Sequence, residues 1–344
     1  MAKVRKAVTM SDIAKRMDVS TVTVSKALSG QKGVSEEVRE EIIRLAREMG
    51  YKTVRGTTPG EKQAGFRIGV LMPSSALATF DSFYWRLYQA VSEKAMEKNC
   101  FTGYESLSEE MTEKQVLPRL ITDKMVDGLI VIGRPEKKYG DFLKERAGMP
   151  LVFLDFYDNS LDVDCFISDS FYGTYLLTEY LLERGHRDVA FVGTIYATAS
   201  ITDRFLGFQK AMMERGLSIP KDHVIPDRGQ EKGTDENYYE FSFPKKMPTA
   251  FVCNCDFTAG ILIRNLREKG YRVPEDVSVT GFDNYPGEKE LGAAVTTYAV
   301  DLQGMAKAAL KSLIKQMNGE NVKKGIHVVE GALIEKNSVR RLKG

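Results

Sequence analysis

Val22, Ser25, Lys26 and Ser29 recur at the spacing of one helical face, and together they carry the chemistry of nucleic-acid contact. Short hydroxyls bond to base edges and phosphate oxygens. A lysine supplies a cation, and an apolar valine suits a thymine methyl group. A small bundle with a solvated polar face is the plainer alternative. A valine set outward among Thr, Ser and Lys fits a duplex better.

Such a face needs other residues to hold it. Thr9 is placed to cap a short helix over Met10–Met17, with Ile13, Ala14 and Met17 on one side. Asp18-Val19-Ser20 makes a tight turn, and Ser20 is placed to cap a second helix over Thr21–Ser29. Its Val24, Ala27 and Leu28 point the other way from the polar face, and Gly30 stands where the helix should stop. A third helix starts after Ser35, with Glu36 and Glu37 in its first turn, and runs to Met49-Gly50. Its inward stripe is Val38, Ile42, Leu45, Ala46 and Met49. Two short helices joined by a three-residue turn and braced by a third have helix-turn-helix geometry.

The charge balance agrees. Residues 1–65 hold thirteen Lys/Arg against eight Asp/Glu, a surplus of five positive charges, whereas the rest of the chain is slightly acidic. A chain of 344 residues is expected to form more than one domain. At 43% hydrophobic and 28% charged residues, its composition is that of a soluble globular protein and excludes a disordered or fibrous class. No apolar run reaches the roughly 18–20 residues that span a bilayer, so no membrane partner is expected. The Met1–Met10 stretch is basic without an apolar core behind it, which argues against a secretion signal. Cys100, Cys165, Cys253 and Cys255 do not resemble a disulfide framework, and the expected location is the cytoplasm.

The stretch VTMSDIAKRMDVSTVTVSKALSGQKGVSEEVREEIIRLAREMGY resembles the headpiece of the LacI/GalR family of bacterial regulators. The resemblance implies that Thr21, Val22 and Lys26 enter the major groove, while Thr23 and Ser25 help fix the helix on the backbone. Thr9, Ser20 and Ser35, at the starts of the three helices, complete the expected DNA-binding set. Lys26 stands where the family commonly has Arg, and lysine lacks the bidentate fork for guanine. After Tyr51 the chain departs from the family. YKTVRGTTPGEKQAGF replaces the usual Pro-Asn and hinge helix, and Gly56, Pro59, Gly60 and Gly65 oppose helix formation. No large apolar side chain between Arg55 and Gly65 is available to wedge between base steps, so residues 53–65 are expected to be a flexible linker without a hinge helix.

From Phe66 the pattern changes to alternating strands and helices. RIGVLMP, DGLIVIG, MPLVFLDF, DVAFVGT, TAFVCNC and DVSVTGFD read as buried parallel strands with helical segments between them. The expected fold is α/β and doubly wound, with ligands at the carboxyl ends of strands. ISDSFYGTYLLTEYLLERGHRDVAFVG, DRFLGFQKAMMERGL, MPTAFVCNCDFTAGILIRNLREKGYRVPEDVSVTGFDN and LIEKNS resemble, in order, the family's two-lobed core, which is like a periplasmic binding protein. The resemblance implies effector contacts at Phe83, Tyr84, Asp155, Arg204, Cys255, Asp256 and Asp283. Carboxylates and Arg suit hydroxyl groups, and an aromatic pair can stack on a sugar or a base. Two plainer readings stand beside these, packing for Phe83 and Tyr84 and helix capping for Asp256. Cys255 replaces the Asn usual in sugar-binding relatives, which removes an amide from the pocket and argues against the common hexoses.

The resemblance also sets the expected architecture. Residues 1–52 form the headpiece, 53–65 the linker and 66–344 the sensor and dimerisation domain. Chain crossings near 165, 290 and 325 divide the sensor into one lobe of about 66–165 plus 290–325 and another of 166–289 plus 326–344. A homodimer on a pseudo-palindromic operator is expected, with a sugar or related metabolite in the cleft setting the DNA affinity and repression as the output. No cofactor is called for, and no GxGxxG follows a strand. Cys253-x-Cys255 beside Asp256, with no clustered His, is too thin for a metal site. His186, His223 and His327 sit near no plausible nucleophile in sequence, so no enzyme is expected. A solute receptor would share the sensor fold but would have no use for a helix-turn-helix.

Overall fold

A computed structural model describes residues 8–29, 33–51, 65–74, 83–158, 162–228, 241–285 and 294–342. The chain divides into two compact units, residues 1–65 and 66–344. Gly30 and nearly all of the linker, including any hinge over 53–64, lie outside the described residues.

The first unit has three helices, α1 (Met10–Met17), α2 (Thr21–Ser29) and α3 (Glu36–Glu48). The Asp12 carboxylate accepts from both the Thr9 N–H (2.8 Å) and the Thr9 hydroxyl (2.6 Å), fixing the start of α1. Asp18 takes a φ of 51°, a left-handed turn that short polar residues tolerate, and this lets α2 leave at once. Ser20 Oγ accepts from Thr23 N–H at 3.0 Å, and Ser35 Oγ accepts from Val38 N–H at 3.5 Å. Beneath these caps Ile13, Ala14, Val24, Ala27, Ile42, Ala46 and Tyr51 form a buried core. The inward stripes of the three helices supply all of it except Tyr51.

The second unit contains two six-stranded sheets. The first is built from β1 (Arg67–Pro73), β2 (Phe101–Leu107), β3 (Gly128–Ile132), β4 (Leu151–Leu154), β5 (Asp164–Ser168) and β11 (Ile326–Val329). Its order is β11-β5-β4-β3-β1-β2, parallel throughout. The second contains β6 (Val189–Val192), β7 (Val224–Ile225), β8 (Ala250–Cys253), β9 (Ser278–Phe282), β10 (Thr296–Ala299) and β12 (Ala332–Ile334). Its order is β12-β10-β9-β8-β6-β7, with only β12 antiparallel. Every residue of β3, β4, β6, β8 and β9 is buried, as strands covered on both faces must be.

Helices α4 (Phe83–Met96), α5 (Glu109–Glu113), α6 (Arg119–Thr122), α7 (Lys137–Arg146) and α11 (Leu302–Met317) accompany the first sheet. Helices α8 (Ser170–Glu183), α9 (Ala199–Glu214) and α10 (Asp256–Glu268) accompany the second.

The crossings between lobes fall later than the sequence suggested. One lies at Asp169, between β5 and α8; the second at Val300-Asp301, between β10 and α11; the third at Glu330-Gly331, between β11 and β12. Residues 296–299 therefore belong to the second lobe and 326–329 to the first, reversing their expected places. The reason is pairing. Thr296–Tyr298 match Thr280–Phe282 of β9, whereas Ile326–Val329 match Cys165–Ser168 of β5. Neither partnership leaves a local mark on the sequence.

Candidate functional site

In the headpiece, packing decides which side chains face outward. Among its described residues Val22 is the large apolar side chain left in solvent, 61% exposed, while Val24 and Ala27 two and five positions on are buried. Thr21 and Ser25 are exposed on the same helix, and Thr23 and Lys26 are half-buried. Thr9, Ser20 and Ser35 are exposed at the helix starts. The side chain of Ser29 is outside the described set. Sequence reasoning missed Arg39. From α3 its Nη1 donates to the carbonyls of Ala27 (3.1 Å) and Lys26 (3.3 Å), satisfying the last turn of α2, and Glu36 holds its Nε at 3.5 Å. Lys26 and Arg39 are thirteen residues apart, so no local pattern reveals the contact.

In the sensor, a cavity of about 600 Å³ lies where the carboxyl ends of the strands meet, lined by Tyr84, Asp155, Phe156, Tyr157, Ser170, Thr198, Asp203 and Arg228 among others. Tyr84, one residue into α4, reaches the Asp155 carboxylate with its hydroxyl. Burial raises the Asp155 carboxyl to about 6, against the opposing pull of Arg204 and the Tyr84 hydroxyl. Asp283 follows β9, and its Oδ1 accepts from the Tyr285 N–H at 3.0 Å. Burial raises this carboxyl to about 7, although Arg204, the Tyr285 amide and Arg86 all favour its charge.

Arg204 connects the two. It projects from α9, is 8% exposed, donates from Nη1 to the Asn254 carbonyl at 2.8 Å and lies 3.9 Å over the Phe282 ring. Its Nε finds no hydrogen-bond partner among the described residues.

Cys255 and Asp256 stand at the start of α10. Cys255, not Asp256, caps α10, its sulfur accepting from the Thr258 N–H at 3.4 Å. Burial pushes its thiol up to about 11, so it stays neutral. Asp256 is the first helical residue, with Oδ1 lying over Gly281 where any Cβ would collide. Burial and the neighbouring Asp283 hold its carboxyl well above the usual range. Phe83 meets Tyr84 edge-on at 5.6 Å and packs on the first lobe's core, and it is not among the cavity-lining residues.

A second polar centre was not foreseen. Asp227, 1% exposed, accepts from Thr194 N–H (2.8 Å), Asn254 Nδ2 (2.7 Å), Thr258 Oγ1 (3.2 Å) and both Arg228 Nε (3.1 Å) and Nη2 (3.0 Å). Burial would raise its carboxyl, but Arg228 and these donors hold it at about 2. It thereby ties β6, β8 and α10 together beneath the cavity and aims Arg228 along the wall. Among the described residues no three His, Cys, Asp or Glu side chains cluster as metal ligands would.

These two surfaces, an outward-facing polar helix on a three-helix unit and a cleft between two parallel-sheet lobes, define a ligand-responsive regulator. Residues 9–53 match the family described as bacterial regulatory proteins, lacI family, and residues 178–339 match the periplasmic binding protein-like domain. The chain thus carries a lacI-family DNA-binding domain and a periplasmic binding protein-like domain, and it is a DNA-binding transcriptional regulator. It is 29% identical over 340 residues to the HTH-type transcriptional repressor PurR of Shigella dysenteriae serotype 1 (strain Sd197), covering 96% of each chain. The PurR of Klebsiella pneumoniae subsp. pneumoniae is 27% identical over 341 residues, again covering 96% of each chain. Among solved structures, the lac repressor dimer bound to operator and the anti-inducer ONPF superposes with a TM-score of 0.63 at 21% identity, covering 97% of this chain and 100% of that one. The CelR–cellobiose complex gives 0.66 at 19%, covering 96% and 99%. At these identities the structures speak for the fold alone. No helix among the described residues is long and apolar enough to cross a membrane.

Proposed function

We propose that the protein is a cytoplasmic repressor, not an enzyme, that binds a pseudo-palindromic operator as a homodimer and changes its grip when a small molecule fills the cleft. The observation that carries the DNA reading is Val22. An apolar side chain 61% exposed, beside Thr21, Ser25 and Lys26 on one short helix, has no packing role and suits a base edge. Thr21, Val22 and Lys26 read bases; Thr9, Ser20, Thr23, Ser25 and Ser35 hold the backbone; Arg39 fixes the helix that presents them. A sugar or related metabolite is the effector class suited to a cavity walled by hydroxyls, carboxylates and aromatic rings. Phe83 supports Tyr84 from behind, while Cys255, Asp256 and Asp283 stand behind the lining residues, near Arg204.

The homodimer reading rests on the first lobe. Its edge strand β2 leaves Phe101 72% and Tyr104 47% exposed, and Tyr104 continues into a ring cluster with Trp85 and Tyr88. An apolar sheet edge of this kind invites a second copy.

Selection of bound DNA from a random pool tests the proposal. The expected product is a two-fold related pair of half-sites. Val22→Ala is expected to relax selection at one base pair per half-site, and Arg39→Ala to weaken binding about tenfold, with Arg39→Lys recovering part of it. A pool with no enriched sequence sinks the repressor reading.

A further inference from the structure

Arg228 stands on the cavity wall just past β7, and it is held there from two sides. Its backbone is clamped by Thr194, just past β6. The Thr194 hydroxyl accepts from the N–H groups of Asp227 and Arg228, both at 3.2 Å, and donates to the Arg228 carbonyl at 3.3 Å. Its side chain is fixed by the Asp227 carboxylate, which takes Nε and Nη2 together in two parallel bonds. That carboxylate has no exposed surface, whereas the Arg228 side chain keeps 30% of its own. Burying an ionised carboxylate costs free energy, and the Thr194 clamp already closes the turn without it. What the carboxylate adds is the direction of one guanidinium. Arg204, to which the family resemblance points, lies behind the lining residues on the Asn254 carbonyl and the Phe282 ring. Asn254 serves both arginines, because its side-chain amide also donates to Asp227 at 2.7 Å.

Taking the cleft as the effector site, we propose that Arg228 donates hydrogen bonds to oxygen atoms of the effector, with Asp227 as the positioning residue that fixes its guanidinium. A planar guanidinium can give one side to a buried carboxylate and another to a ligand, which a single ammonium cannot do in a fixed plane. Hydroxyl and carbonyl oxygens suit it, since arginine only donates. From the first lobe Tyr84 and Asp155 line the same cavity. Arg228 thereby gives the second lobe its own hold on the effector, and a ligand gripped by both lobes favours one arrangement of them. Asp227 has no exposed surface and acts only through its neighbour. Asn254 and Thr258 keep it from following Arg228 into the cavity.

The test uses the full chain on its selected operator, with D-ribose, D-xylose, D-galactose and cellobiose as probes and DNA release or retention as the readout. The sugar acting at the lowest concentration is carried into the variants, each measured at the same fraction of operator bound. Arg228→Lys keeps a cation beside Asp227 and is expected to raise the half-maximal concentration of that sugar about tenfold. Asp227→Asn is expected to raise it about fivefold in the unaltered chain and to add nothing in Arg228→Met, because a positioning residue has no effect without the group it positions. Equal effects of Asp227→Asn in the two backgrounds overturn the positioning role. Should Asp227→Asn fail to fold, Asp227→Glu, which keeps the charge and moves it, takes its place in the cycle. A response that Arg228→Lys leaves unchanged and Asp155→Asn weakens overturns the proposal while the cleft reading stands. No response to any of the four sugars sinks the sugar-effector reading and this proposal with it.

Discussion

The two lobes of the sensor carry the same device at equivalent strands and use it differently. In the first lobe β4 ends at Asp155, with a φ of 66° and its N–H bonded to the Phe166 carbonyl of β5 at 2.8 Å. In the second, β9 ends at Asp283, with a φ of 88° and its N–H bonded to the Tyr298 carbonyl of β10, also at 2.8 Å. Both aspartates sit in a left-handed conformation that non-glycine residues seldom adopt outside functional sites. Asp155 turns its carboxylate toward the Tyr84 hydroxyl and the cavity, whereas Asp283 folds back onto the Tyr285 amide and lines no part of it. The first lobe turns its acid into the cavity. The second uses the same acid to close its own turn.

The sharpest break of the comparison comes at the sheet edges. β2 is seven residues long with exposed aromatics, whereas its counterpart β7 has two residues. The double change Phe101→Lys with Tyr104→Lys is expected to yield a monomer by sedimentation and to weaken operator binding about 100-fold, because two tethered headpieces gain effective concentration that separate ones lack. An unchanged dimer would move the interface elsewhere.

Arg204→Met is next. It leaves Asp155 of the first lobe and Asp203 and Asp283 of the second without their shared cation, so a stability loss of about 3 kcal/mol is expected in denaturant titration, together with loss of the effector response. A smaller change than Asp155→Asn would show that Arg204 does not link the lobes. Asp155→Asn and Asp283→Asn then separate the two uses of one motif. The first is expected to weaken effector binding about tenfold and the second about threefold or less, since asparagine keeps both the turn and the left-handed backbone. Equal losses would erase the asymmetry.

The smallest effect concerns pH. Folded carboxyls at about 6 and about 7 bind protons more tightly than unfolded ones near 3.9, so the folded state holds more protons between about pH 4 and 7. Stability from these groups therefore falls as pH rises through that window, and Tm is expected to drop by about 2–4 °C between pH 5.5 and 8. Either Asn variant should flatten the profile. Asp227, held at about 2, leaves this range alone because its contribution is lost only in stronger acid.

How much of this was legible depends on range. The headpiece was readable because its contacts follow helical periodicity, and every core residue but Tyr51 lay on an expected stripe. Tyr84 and Asp155 were named by resemblance to the family, at a helix start and a strand end, and both line the cavity. Asp227 was not, since it joins Thr194 and Asn254 across 33 and 27 residues and sits on no regular element. The lobe boundaries failed for a related reason, because β10 and β11 read alike as short strands until their partners are known.

The crossings carry one more consequence. The three chain passages between lobes are one, two and two residues long, and they brace one another. Asp169 N–H donates to the Val329 carbonyl at 3.2 Å, and Gly331 N–H donates to the Tyr298 hydroxyl at 2.7 Å. Three short struts lashed side by side form a pivot with almost no slack. Sliding one lobe past the other would break all of them at once, whereas a small rotation spreads over a few dihedrals. A ligand filling this cleft would therefore do mechanical work on the sensor along essentially one coordinate, an angle.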